Sequence, residues 1–111
     1  SWAAATGSAE EVTFLLERGA KVDTRDQLGR APIHFAVFNG SVEVITLLLD
    51  AAADVNARDS LDTTPLMYAC AKNQAAVVET LKARGADPSL EDKLGRTARE
   101  RAHGDDNPCT K

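Results

Sequence analysis

The chain has 111 residues, of which 43% are hydrophobic and 5% aromatic, a composition that fits one folded domain. Its 13 basic and 17 acidic residues leave a net charge of −4, which disfavours general nucleic-acid binding because phosphate contacts need clustered Lys and Arg. The apolar runs fall far short of the ~20 residues that cross a membrane. Cys70 and Cys109 form neither a disulfide framework nor a metal-ligand pattern, so we expect a reducing, intracellular location, cytoplasmic or nuclear.

A period of 33 residues runs along the chain. Asp26, Asp59 and Asp92 lie at this interval, and the same interval separates Leu48 from Leu81. A fixed period of this length, with one motif in each repeat, indicates a stacked array rather than a single closed core. The period predicts a partial repeat over 1–25, full repeats over 26–58 and 59–91, a capping partial repeat over 92–103, and a flexible tail over 104–111.

Each full repeat is predicted to form a turn, a short helix, a tight turn and a second helix. Pro32 and Pro65 suit the first position of a helix, where a missing N–H has no cost. The first helices are expected to end near Gly40 and Asn73, because both residue types tolerate the left-handed conformation of a helix end. The second helices carry apolar residues at helical spacing: Val42, Ile45, Leu48 and Leu49, then Val77, Val78 and Leu81.

Two motifs in these repeats resemble those of the ankyrin repeat family. The family segment T-P-L-H-x-A appears as APIHFA over 31–36 and as TPLMYA over 64–69, and L-L-x-x-G-A-D-V-N appears as LLDAAADVN over 48–56. The resemblance covers residues 2–103. It implies an all-α solenoid of stacked helix-turn-helix units with short β-hairpin-like loops, about three and a half repeats long. It also implies a binding module without a cofactor rather than an enzyme.

Four residues depart from the family pattern. Ala31 replaces the Thr expected at an N-cap, at a cost of about 1 kcal/mol. Ala52 replaces the Gly after a second helix, where a left-handed backbone would add about 1 kcal/mol of strain. Met67 replaces the His, which predicts a missing side-chain to backbone hydrogen-bond pattern. Asp62 takes a turn position where Gly is usual, and Asp tolerates that conformation better than most residues.

The two ends of the array differ from its middle. Arg99 and Arg101 lie where earlier repeats carry apolar residues, so we expect this end to be a cap on which no further repeat stacks. The segment WAAA over 2–5 resembles the opening of a first repeat, so either the array starts there or a preceding hairpin is missing. Cys70 is expected to be a small core residue. Cys109 is expected to be exposed in the tail, where an adventitious disulfide is conceivable.

The sequence offers little for catalysis. By resemblance, His34 makes a structural hydrogen bond to the turn rather than acting as a base or metal ligand, and His103 is expected to be solvated. The repeated aspartates are spread along the array rather than converging on one point. Neither a phosphate loop, nor a nucleophile elbow, nor a metal motif occurs, so an enzyme is the least favoured class.

The hairpin tips and the exposed side of the first helices vary most within the family and are the predicted binding surface. The candidate partner-binding residues are Gln27, Leu28, Arg30, Phe38, Asn39, Ser60, Leu61, Thr63, Lys72, Lys93, Leu94 and Arg96. Every charged residue among them is basic. The leucines either pack against the neighbouring hairpin or serve as apolar anchors. Phe38 and Arg30 are the first hot-spot candidates, since aromatics and Arg dominate such sites.

These residues predict an adaptor, scaffold or inhibitor that binds another protein, specifically a segment with hydrophobic and acidic residues. We expect a monomer that binds neither nucleic acid nor membrane. The alternative is a docking or targeting segment of a larger enzyme, channel or signalling protein. In the family, an Asn placed like Asn56 can be hydroxylated, although it more often braces the loop.

Overall fold

The computed structural model describes residues 9–19, 21–102 and 109. Within these residues the secondary structure is helical, without strands. The helices are α1 (Ala9–Glu17), α2 (Pro32–Asn39), α3 (Val42–Asp50), α4 (Pro65–Ala71), α5 (Ala75–Ala83) and α6 (Ala98–Arg101). The expectations for Trp2, for His103 and for the tail apart from Cys109 lie outside the described residues.

The helices stack as the period predicts. In each full repeat the first helix packs on the second, as α2 on α3 and α4 on α5. Neighbouring repeats then join through like helices, with α2 against α4 and with α3 between α1 and α5. This arrangement confirms the predicted all-α solenoid. Buried apolar residues at equivalent positions, among them Val12, Ile45 and Val78, line the joins between repeats.

The first helices, α2 and α4, begin with the same backbone geometry but with different hydrogen-bonding side chains. The hydroxyl of Thr64 accepts a hydrogen bond from the Met67 amide at 3.3 Å. Ala31 has no side-chain cap, as the sequence predicted. In return, His34 Nδ1 accepts from the Ala31 amide at 3.0 Å. The predicted loss at Met67 is therefore only partial, because Met67 Sδ accepts from the Thr64 amide at 3.5 Å, as a weak acceptor.

Left-handed backbone occurs where the sequence placed it. Ala52 has φ 74° and Asp62 has φ 59°, so the strain expected at Ala52 is present. Asn73 has φ 56° at the end of α4. Gly29 has φ 73°, and a Cβ atom there would lie 2.9 Å from the Ser60 amide nitrogen. The close approach of two neighbouring hairpin tips therefore requires glycine at this position.

The expectation that Cys109 is exposed is wrong. Cys109 is buried and forms a disulfide with Cys70, with a Cα–Cα distance of 5.8 Å across a sequence separation of 39 residues. The physical reason is that Cys70 occupies a fully buried position on α4, as predicted. A disulfide brings its two sulfur atoms into contact, so Cys109 is drawn into the same interior.

Candidate protein-binding surface

Three leucines project from the hairpin tips, one in each repeat. Leu28 is 56% exposed, Leu61 is 64% exposed and Leu94 is 76% exposed. More than half of the surface of each of these residues is open to solvent, which favours apolar anchors over packing against the neighbouring hairpin. Exposed large apolar side chains that recur in a line are typical of an interaction surface.

Backbone hydrogen bonds fix the tips to one another. The Leu28 carbonyl accepts from the Ser60 amide at 2.9 Å, and the Leu61 carbonyl accepts from the Lys93 amide at 3.1 Å. The Ser60 hydroxyl also donates to the Leu28 carbonyl. Within each tip, an aspartate such as Asp26 accepts through Oδ1 from amides two and four residues later. The leucines therefore project from a braced backbone.

Two of the basic candidates are neutralised by acidic neighbours. Arg30 Nε donates to Asp26 Oδ2 at 2.8 Å, and Arg96 Nε donates to Asp92 Oδ2 at 3.1 Å. Burial would raise the pKa of Asp92, but the hydrogen bonds from Arg96 and Leu94 outweigh it and leave that pKa below its usual value. The tips are therefore less basic than the candidate residues alone suggested.

Thr63 breaks this pattern, and its prediction as a partner-binding residue is wrong. It occupies the position of Arg30 but is fully buried. Its amide donates to Asp59 Oδ1 at 2.9 Å, and its hydroxyl accepts from Arg101 Nη1 at 3.2 Å. Without an arginine at this position, the second oxygen of Asp59 accepts from the Tyr68 hydroxyl instead.

The hydrogen bond between Tyr68 and Asp59 contributes to a shift in the pKa of each residue. Burial raises the pKa of Tyr68 to about 12, with a further contribution from its hydrogen bond to Asp59. Burial would likewise raise the pKa of Asp59, but the hydrogen bonds from Tyr68, Thr63 and Leu61 outweigh it and lower that pKa below its usual value. The carboxylate is therefore held in its charged form inside the array.

An aromatic cluster extends from the tips along the first helices. The ring centroids of Phe38 and Tyr68 lie 4.6 Å apart, and those of Phe38 and Phe35 lie 6.2 Å apart. Cations flank the rings. The guanidinium of Arg30 lies 4.8 Å from the Phe35 ring, that of Arg101 lies 5.7 Å from the Tyr68 ring, and the Lys72 ammonium lies 6.0 Å from the Phe38 ring.

The candidate residues identified Phe38 but missed Phe35, Tyr68 and Arg101. The sequence did contain the signal, because these three residues lie 33 apart and share one position of the repeat. The repeat pattern predicts that this position belongs to the buried face. In the structure each of the three side chains is half-buried and adjoins Phe38 or a neighbour of it.

The remaining candidates lie at or beside the tips and the cluster. Gln27, Ser60, Lys93 and Arg96 are exposed on the tips. Asn39 and Lys72 are exposed at the ends of α2 and α4. Asn56 is half-buried, and its Oδ1 accepts from the Asp87 amide of the next loop at 2.8 Å. This contact is the loop brace that was one of the two interpretations of Asn56.

His34 lies beneath the cluster and holds two repeats together. Its Nδ1 accepts from the Ala31 amide, which leaves Nε2–H to donate to the Thr63 carbonyl of the next repeat at 3.0 Å. Burial lowers the pKa of His34, against the opposing effect of the Thr63 carbonyl. His34 therefore makes the structural hydrogen bonds that the resemblance implied.

The same residues bear on two other classes of site. Across 9–19, 21–102 and 109, no group of three or more His, Cys, Asp or Glu side chains is placed to hold a metal ion. Over the same part of the chain, none of the helices has the length and apolar character needed to span a bilayer. The surface described here thus consists of apolar anchors, aromatic rings and partly paired cations.

A family model described as ankyrin repeats, in three copies, matches residues 1–92. A search among curated proteins gave no significant match.

Proposed function

Because the chain belongs to the ankyrin repeat family, we propose that it is an adaptor, scaffold or inhibitor that binds a partner protein through its hairpin tips and first helices. Ankyrin repeats are generally protein–protein interaction modules and are typically non-catalytic. The observation that carries the proposal is the line of exposed leucines, Leu28, Leu61 and Leu94, on tips that hydrogen bonds join.

The chemistry of the surface supports a partner segment with hydrophobic and acidic residues. Leucine side chains and the Phe38 ring offer apolar contacts. Lys72 and Lys93 are exposed and form no ion pair with any of the described residues. Arg30 and Arg96 are already paired with aspartates, so the two lysines are the better source of attraction for carboxylates.

Affinity purification with quantitative mass spectrometry tests the leucine line. The bait is compared with a variant in which Leu28, Leu61 and Leu94 are all changed to Ser. Lys82→Gln, an exposed change on α5, is the matched control. We expect the partner to be lost from the leucine variant and kept by the control. Full recovery of the same partner by both variants would contradict the proposal.

Phe38→Ala tests the aromatic cluster separately. Removing a central aromatic ring from an interface is expected to weaken binding about tenfold or more. Phe38 is only half-buried, so the fold should survive, and a thermal melt followed by circular dichroism checks this. Normal binding by a folded Phe38→Ala variant in a titration would place the partner outside the first helices.

A further inference from the structure

A groove lies away from the tips and the aromatic cluster, between helices α1 and α3. Each of these is the second helix of its repeat. The groove has a volume of about 390 Å³ and is open to solvent along its length. The lining residues are Ala9, Glu10, Thr13, Phe14 and Glu17 of α1 with Glu43 and Leu47 of α3. None of them belongs to the tips or the aromatic cluster. An open groove between two helices suits a polypeptide better than an enclosed small molecule.

Phe14 makes the floor of this groove apolar. It is 54% exposed, because the neighbouring positions Val12 and Leu16 face the core instead. The Arg18 guanidinium lies 4.5 Å from the Phe14 ring centroid and covers only part of it. Leu47, which is half-buried at the equivalent position of the next repeat, continues the apolar surface on α3.

Carboxylates line both walls of the groove. Glu10 and Glu17 lie on α1 and Glu43 lies on α3. None of the three forms an ion pair with another described residue. By contrast, Asp50, which is equivalent to Glu17, is paired with Arg84 at 2.8 Å. One repeat further on, the corresponding residues on α5 are Ala76 and Ala83. Among the described helices, an unpaired acidic residue at both of these repeat positions thus occurs only on α1.

We propose that this groove binds a basic amphipathic helix of a partner protein. One large apolar side chain of that helix packs on Phe14 and Leu47, while its Lys or Arg residues face Glu10, Glu17 and Glu43. The α1 and α3 helices have nine residues each, so the groove is about 13 Å long and accommodates about two and a half helical turns. This surface has the opposite charge preference to the leucine tips, so one chain can engage two different partners.

The probe for this proposal is a fluorescein-labelled, amidated 14-residue peptide of Leu and Lys in a helical amphipathic pattern. Its control peptide has Glu in place of every Lys. Fluorescence anisotropy measures affinity, and chemical-shift mapping on isotope-labelled protein locates the site. We expect the Lys peptide alone to bind, with shifts at Ala9, Thr13, Phe14 and Leu47. Shifts confined to α2, α4 and the tips would overturn the proposal.

Variants separate the groove from general charge attraction. Changing Glu10, Glu17 and Glu43 together to Gln, or Phe14 to Ser, is expected to weaken binding of the Lys peptide about tenfold. Glu79→Gln removes an exposed carboxylate of α5 and should leave the affinity unchanged. An equal loss in the Glu79 variant would show non-specific attraction and refute the site.

A second copy of the chain is the competing occupant of the groove. Sedimentation velocity over a range of protein concentrations distinguishes the two. We expect a monomer whose sedimentation is unaffected by Phe14→Ser. A concentration-dependent dimer that this change abolishes would assign the groove to contacts between copies and overturn the proposed partner helix.

Discussion

The two complete repeats, 26–58 and 59–91, hold the same backbone with different side chains. In the first, Asp26 is paired with Arg30, whereas in the second, Asp59 is bound by the hydroxyl of Tyr68. The comparison shows that the fold does not require a particular residue at either position. Both oxygens of the repeated aspartate have a partner in each repeat, and this matters most at the buried Asp59, where an unpaired carboxylate oxygen is costly.

The two repeats also differ in the features that favour stability. The first contains Ala31 without a side-chain cap and Ala52 in a left-handed conformation, and it also contributes Phe38 to the aromatic cluster. The second has Thr64 as a cap and a disulfide at Cys70. We therefore expect the repeat 59–91 to be the more stable unit of the array.

Breaking the disulfide should remove the largest part of the difference in stability between the two repeats. A crosslink over a separation of 39 residues is expected to contribute about 4 kcal/mol to the free energy of unfolding. The test is urea denaturation with and without a reductant. The control pairs Cys109→Ser with Cys70→Val, the residue of the first repeat, and should be insensitive to reductant.

Thiol mass spectrometry on the native protein decides whether the bond forms in the cell. Disulfides persist in oxidising compartments and are rare in the cytosol. An intracellular location therefore predicts free thiols at Cys70 and Cys109, whereas an oxidising compartment predicts the bond. Two free thiols would remove the crosslink from the comparison and leave the two repeats closer in stability.

Tyr68→Phe copies the residue of the first repeat into the second and should have the next largest effect. It leaves Asp59 Oδ2 without the Tyr68 hydroxyl, and losing one partner of a buried charged group costs about 2 kcal/mol. The pKa of Asp59 should also rise, because that hydrogen bond lowers it. Urea denaturation and a carboxyl titration by NMR measure the two effects. Phe35→Tyr is the control and should be nearly neutral, since Asp26 is already paired.

Ala31→Thr makes the reverse exchange, giving the first repeat the cap of the second. A hydroxyl at this N-cap is expected to add about 1 kcal/mol of stability and to raise the melting temperature. The position accepts Thr in the neighbouring repeat, where Thr64 is equally buried. A melting temperature that stays the same or falls would show that the two helix starts are not equivalent.

His34→Met should change the pH dependence of stability, in addition to the loss of the hydrogen bond to the Thr63 carbonyl. Burial lowers the folded pKa of His34 below 6.5, so the unfolded chain binds more protons below that pH. The contribution of His34 to the free energy of unfolding is complete above pH 6.5 and is lost as the pH falls through the folded pKa. The slope is at most about 1.4 kcal/mol per pH unit. His34→Met should flatten the dependence of stability on pH between pH 7 and pH 5. The control His103→Gln should retain that dependence.

The sequence predicted the repeat architecture because that depends on periodic features. Residues such as Pro32, Asn73 and Ile45 have local or periodic signals that specify a helix start, a helix end and a buried face. The exposure of Leu28 and its equivalents also followed from their tip positions, although the sequence did not distinguish anchoring from packing.

The contacts of a residue that differs from its equivalents in the other repeats were not predictable in the same way. Thr63 shares the repeat position of Arg30, which predicts a surface residue, and only the structure shows it buried beneath Arg101. The disulfide joins residues 39 apart, an interval outside the period, so no comparison between repeats indicated it. The groove at Phe14 depends on which positions of α1 face outward beside α3, and the repeat period alone does not specify those positions.

The hydrogen bonds between neighbouring tips also fix the spacing of the three leucines along the array. Stacked helices lie about 8–10 Å apart, so the leucines recur along the array at roughly that distance. A polyproline II segment has three residues per turn and advances about 3.1 Å per residue, so every third side chain lies on one face and meets one leucine after another. A ligand using all three leucines in this way would need its anchors in steps of three. Because the Ser60 and Lys93 amides fix the tips, the spacing of the leucines would limit such ligands as much as their chemistry does.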